Sequence, residues 1–89
     1  MRTVRLIISG RVQGVYFRRF TKHKAHDLGI NGTVCNRADG SVEIIAQAEA
    51  GKLEPFIKWC HKGPITARVD KVEIKDLDGS HPYQSFEII

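Results

Sequence analysis

Arg18 closes a glycine-bracketed stretch, Ser9-Gly10-Arg11-Val12-Gln13-Gly14-Val15-Tyr16-Phe17-Arg18, which follows a short apolar run and precedes a segment with helical periodicity. Glycine lets a backbone turn tightly and lets an anion come close to peptide N–H groups. A helix starting directly behind such a loop adds unpaired N–H donors and a positive dipole end. A guanidinium at that point is a permanently charged fork matched to phosphate oxygens. The chemistry this combination suggests is the cradling of a small oxyanion. The Gly-x-x-x-Gly spacing by itself fits an ordinary turn as well.

Other phosphate chemistries lack their residues. A thiol phosphatase needs an arginine six residues after its cysteine, where this chain has Ser41 after Cys35 and Thr66 after Cys60. The nucleotide-binding P-loop ends in Gly-Lys-Ser/Thr, which this loop does not. No local serine–histidine–acid set exists, and the carboxylates of Asp76 and Asp78 lie in a polar turn. No Cys-x-x-Cys pair is present, and His23 and His26, one helical turn apart, lack a third ligand. No metal site is expected.

The remaining polar candidate is Asn36. If Val34 and Asn36 share one face of a strand, Asn36 points to the helix side, where Arg18 lies. It also stands where asparagine commonly initiates a turn, ahead of Asp39-Gly40. The residue types leave both roles open.

These residues must be positioned by one small domain, expected to span residues 1–89. Apolar content of 42% beside 27% charged residues is ordinary for a soluble globular chain. The Leu6-Ile7-Ile8 run is too short for a signal-peptide core or a membrane span. A cytoplasmic location without membrane contact is the expectation. The net charge of +4 is scattered apart from Arg18, Arg19, Lys22 and Lys24, which reads as a solvated helix face rather than a polyanion footprint. It favours small anionic substrates by steering.

Val4, Leu6 and Ile8 alternate with Thr3, Arg5 and Ile7, which predicts a strand over 3–9 with one face in the core. Phe17, Thr21, Ala25 and Leu28 form one helical stripe, and Gly29 fits a left-handed cap. Residues 30–36 and 41–49 read as strands joined by an Arg37-Ala38-Asp39-Gly40 hairpin. Leu53, Phe56, Ile57 and Cys60 give a second stripe, and Pro55 predicts that this helix starts near residue 52. A fourth strand over 67–77 changes phase between Val69 and Val72, as at a bulge or a late strand start, and 85–89 forms a short last strand. The class is α+β: a ferredoxin-like βαββαβ sandwich, an antiparallel sheet with two helices on one face and a short extra C-terminal strand. Cys60 then faces the sheet and Cys35 its open side, so both should be free thiols.

Two segments in order, Gly10-Arg11-Val12-Gln13-Gly14-Val15-Tyr16-Phe17-Arg18 and Gly32-Thr33-Val34-Cys35-Asn36-Arg37-Ala38-Asp39-Gly40-Ser41-Val42, resemble the paired signatures of the acylphosphatase family. The resemblance continues through Ala46-Gln47, residues 53–56, Gly63-Pro64, Ala67, Val69 and Val72, and so spans nearly the whole chain. It implies the ferredoxin-like sandwich and hydrolysis of acyl phosphates to carboxylate and inorganic phosphate. The family's phosphate-binding arginine falls on Arg18, its water-orienting asparagine on Asn36, and its cradle amides on Arg11, Val12, Gln13, Gly14, Val15 and Tyr16. It implies no metal, no cofactor and no covalent intermediate. The partners would be a small acyl phosphate and inorganic phosphate, the latter a product and competitive inhibitor, with the protein a monomer. Thr33 and Cys35 depart from the family's common aromatic and basic or polar residues, and both are expected on the face opposite Asn36.

Two non-catalytic alternatives remain on the same topology. RNA-binding domains of this kind stack bases on aromatic residues of their central strands, and Ser41-Val42-Glu43-Ile44-Ile45-Ala46-Gln47 carries none. The other is an acylphosphatase-like binding or accessory domain, since a fold outlives its function.

Overall fold

Strand β1, Arg2–Arg11, follows from the alternation of Val4, Leu6 and Ile8, all fully buried, with more exposed neighbours. The computed structural model describes residues 1–89. Helix α1, Phe17–Leu28, buries Phe17, Thr21 and Ala25, and the Thr21 hydroxyl donates to the Phe17 carbonyl at 2.8 Å. Leu28 is only half-buried, and Gly29 ends the helix in the expected left-handed conformation.

Strands β2, Asn31–Asn36, and β3, Val42–Ala48, make the expected hairpin. The Arg37 N–H donates to the Ser41 carbonyl and the Gly40 N–H to the Arg37 carbonyl, which leaves a three-residue loop. Helix α2, Ala50–Lys62, begins before the expected residue 52, so Pro55 lies inside it rather than in its first turn. The helix tolerates this because the bond lost at Pro55 would have gone to Gly51, and both residues are exposed to water. Strand β4 is Arg68–Leu77 and β5 is Phe86–Ile88.

The sheet order is β4-β1-β3-β2-β5. The first three pairings are antiparallel, whereas β5 joins β2 in parallel, so the extra strand makes the sheet mixed. Gln47 is central to that connection. Its side-chain nitrogen donates to Thr3 Oγ1 and the His81 carbonyl, and its oxygen accepts from the Tyr83 N–H. Asn31 donates to the Tyr83 carbonyl alongside. These bonds hold the 81–83 segment so that β5 reaches the β2 edge. One core lies between the sheet and both helices, where the Phe56 and Phe86 rings meet at 6.2 Å and Phe17 meets Trp59 at 6.0 Å.

The phase change on β4 is a bulge, since the strand begins at Arg68 and does not start late. Ser9 pairs with Lys71 but Gly10 with Val69, leaving Asp70 as the extra residue. A Cβ on Gly10, whose φ is +133°, would stand 2.2 Å from the Arg68 carbonyl oxygen. Gly10→Ala should therefore destabilise the fold by about 2 kcal/mol or more. A urea midpoint unchanged from that of the parent protein would contradict this.

Candidate active site

Between β1 and α1 the chain turns through residues 12–16, anchored by two buried side chains. Val12 and Val15 are buried, and Thr66 donates its hydroxyl to the Val15 carbonyl at 2.8 Å. Gly14 has φ +74°, and Tyr16 has φ +63°, the one positive value outside glycine. Left-handed residues in a tight turn are one component of the alternating backbone geometry that forms an anion nest. At Tyr16 this conformation stores about 1–3 kcal/mol of strain. Tyr16 also caps α1 without a side-chain hydrogen bond, and the residue is 69% exposed.

The amide N–H groups from Val12 through Arg19 find no acceptor in the protein; the first helical bond runs from the Phe20 N–H to the Tyr16 carbonyl. All of these residues but Gln13 and Val15 line a cleft of about 370 Å³, together with Asn36 and Ile88. Two arginines and no acidic residue line it. Arg18 is half-buried, and no carboxylate pairs with it or with Arg19. A guanidinium, a helix N-terminus and unpaired amides thus share one concavity, a setting for an oxyanion with several oxygens.

Asn36 ends β2 opposite Val42, in the same cleft as Arg18. The turn beyond it is made by other residues. Asp39 accepts from the Ser41 N–H and hydroxyl, and those bonds hold its carboxyl below the usual carboxylate range. The side-chain bonds of the hairpin fall to Gln13, Asp39 and Ser41, leaving the Asn36 carboxamide without a protein partner. The arrangement separates two roles that the residue types left open: Asp39 builds the turn, and Asn36 faces the cleft.

Of the other expected cradle residues, Val12, Gly14 and Tyr16 line the cleft, and Val15 lies between them with its side chain inward. Arg11 stands apart as the last residue of β1, paired with Arg68. Gln13 turns its side chain to the hairpin instead of the cleft. Sequence reasoning missed Phe17, Arg19 and Ile88 as lining residues. Arg19 was within reach, since it follows Arg18 in the first helical turn. Ile88 was not, because its place depends on the parallel pairing of β5.

Thr33 pairs with Ile45, and Cys35 with Glu43, on the face away from Val34 and Asn36. Burial raises the Cys35 thiol pKa and the Glu43 carboxylate adds to this, while Arg37 and Arg18 pull the other way. Cys60 is fully buried, which pushes its thiol far up, and both cysteines are free. No three His, Cys, Asp or Glu side chains come together where they could hold a metal ion. No helix is long and apolar enough to cross a membrane.

A sequence model of the acylphosphatase family matches residues 4–88. An acylphosphatase of Rubrobacter xylanophilus is 45% identical over 85 residues, covering 96% of this chain and 77% of its own. One from Mannheimia succiniciproducens is 45% identical over 82 residues, covering 92% and 91%. The crystal structure of acylphosphatase from Bacillus subtilis superposes with a TM-score of 0.96 at 32% identity, covering 100% of this chain and 99% of that one.

Proposed function

The chain belongs to the acylphosphatase family, and on that premise we propose that its cleft hydrolyses acyl phosphates by direct attack of a water held by Asn36 on a phosphate held by Arg18 and the loop amides. Membership carries the activity, acyl phosphate hydrolysis. The division of labour among the residues is the proposal. The observation behind it is a single cleft lined by the half-buried Arg18, which makes no ion pair, by Asn36, whose carboxamide has no protein partner, and by residues whose backbone N–H groups are unpartnered.

In this reading the N–H groups of residues 12–16 and the first turn of α1 hold the phosphate oxygens, with Arg11 delivering the chain from β1 into the cradle. Phosphoryl transfer asks a protein mainly to position the reactants and to stabilise charge on the equatorial oxygens. Arg18 and the amides supply the stabilisation without reorganising during the reaction. The Asn36 side-chain oxygen accepts a hydrogen bond from the attacking water and aims it at phosphorus.

The water oxygen forms the new P–O bond as the bond to the acyl oxygen breaks, and the carboxylate leaves with the electron pair. Its conjugate acid has a pKa of about 4, so no general acid is required. The water's proton passes to a phosphate oxygen, because the cleft has no acidic residue or histidine to take it. Phosphate esters, with poorer leaving groups, should be weak substrates.

We read the protein as a cytoplasmic monomer, one domain over residues 1–89, that needs no metal or cofactor and binds neither nucleic acid nor membrane. Inorganic phosphate, once released, should compete for the same cradle. The test is phosphate release from benzoyl phosphate with EDTA present. Full turnover in EDTA and competitive inhibition by inorganic phosphate are expected; activity lost to EDTA and restored by a divalent metal would overturn the reading.

A further inference from the structure

Gln13 lies between two cleft-lining residues, Val12 and Gly14, yet its own side chain leaves the cleft and crosses to the hairpin. We infer that Gln13 is a positioning residue that fixes the distance between Asn36 and the phosphate cradle. The inference rests on the water-orienting reading of Asn36 given above.

The Gln13 side-chain nitrogen donates to the Arg37 carbonyl at 2.8 Å and to the Ser41 carbonyl at 2.9 Å. Asn36 and Val42 form the last pair of the β2–β3 ladder, and these carbonyls belong to the residues just beyond it. The carboxamide therefore spans the neck of the hairpin directly behind Asn36. Each carbonyl also serves the hairpin itself. The Ser41 oxygen accepts from the Arg37 N–H at 2.8 Å, and the Arg37 oxygen accepts from the Gly40 N–H at 3.2 Å. A carbonyl oxygen has two lone pairs, and here both are engaged.

No other hydrogen bond joins residues 12–16 to residues 36–41. The phosphate loop and the water-holding hairpin are tied by this one side chain. Both of its partners are acceptors, so only a donor fits, and the amide orientation follows from them. A displacement of about 1 Å at a reacting group can slow turnover on the order of 100-fold. A staple between the two walls is therefore placed where small shifts are most costly. A structural role alone would show in stability; a positioning role shows in kcat and depends on Asn36.

The experiment compares Gln13→Met, Gln13→Glu, Asn36→Ala and the double variant Gln13→Met/Asn36→Ala. The measurements are kcat and KM for benzoyl phosphate, the inhibition constant of inorganic phosphate, and thermal unfolding to establish that each variant is folded. Methionine keeps the length of the side chain and removes the donor, while glutamate presents a charged acceptor to two carbonyls. Expected is a fall in kcat of about tenfold or more for Gln13→Met, deeper for Gln13→Glu, with phosphate inhibition within about twofold of the parent.

The double variant should be no slower than Asn36→Ala alone, because a misplaced Asn36 cannot be lost twice. A full additional loss in the double variant would overturn the inference. So would phosphate inhibition weakening in step with kcat, which would make Gln13 a shaper of the cradle. Unchanged kcat in the Gln13 variants would overturn it as well. Unchanged kcat in Asn36→Ala itself would overturn the parent reading and this inference together, and it is recognisable without any Gln13 variant.

Discussion

Arg18→Lys should lower kcat/KM by about 100- to 1000-fold, equivalent to about 3–4 kcal/mol of transition-state stabilisation. Lysine keeps a positive charge in the cleft but presents a compact ammonium, which cannot place two coplanar N–H bonds on two phosphate oxygens. The neighbouring amides keep their positions, since Val12, Val15 and Phe17 anchor the loop independently of Arg18. Inorganic phosphate should inhibit the variant much more weakly. Arg18 makes no ion pair that the fold would miss, so the unfolding temperature should stay close to that of the parent. Near-normal kcat/KM in Arg18→Lys would remove Arg18 from the phosphate site.

Asn36→Ala should act on kcat and spare phosphate binding. Its proposed partner is the attacking water, so the alanine variant keeps the Arg18 cradle and loses the aim of the nucleophile. A loss on the order of 100-fold in kcat is expected. The hairpin should survive, because its turn rests on Asp39 and Ser41 and on the backbone pair of Asn36 with Val42. Asn36→Asp adds a separate reading: its oxygens can still accept from water, but its charge opposes the incoming phosphate and should raise KM. Unfolding curves recorded with the kinetics separate a chemical loss from a structural one. Unchanged kcat in folded Asn36→Ala would return Asn36 to a purely local role.

The periodic elements were legible because each carries its burial in its spacing. Val4, Leu6 and Ile8 alternate as a half-buried strand must, and Phe17, Thr21 and Ala25 recur as a buried helix face must. The phase change between Val69 and Val72 could also be read, although a late strand start would invert the pattern as an extra residue does, and only the register separates the two. The start of α2 could not be placed, because tolerance of Pro55 depends on whether the Gly51 carbonyl meets water. Parallel addition of β5 was hidden for a related reason. It rests on Gln47 and Asn31 holding a distant segment, and no local pattern announces such bonds. Of the cleft-lining residues, Arg18 could be singled out from its type and its place behind a glycine loop, whereas the type of Asn36 left a turn role equally open and only the family resemblance favoured the cleft. The second use of Gln13 and the arrival of Ile88 were not legible, because both are created by contacts between segments far apart in the chain.

The place of Ile88 bears on how activity returns during refolding. The cleft draws on a loop near residue 14, a strand end at Asn36 and an edge strand at Ile88, so it joins the early and late parts of the chain. Closing such separated segments is slow compared with forming a helix or a hairpin. A refolding chain that has formed α1 and the β2–β3 hairpin but has not docked β5 would show secondary structure while its cleft lacked a wall. Recovery of turnover therefore reports the final long-range closure, and it should trail the return of helical circular dichroism whenever the two can be resolved in time.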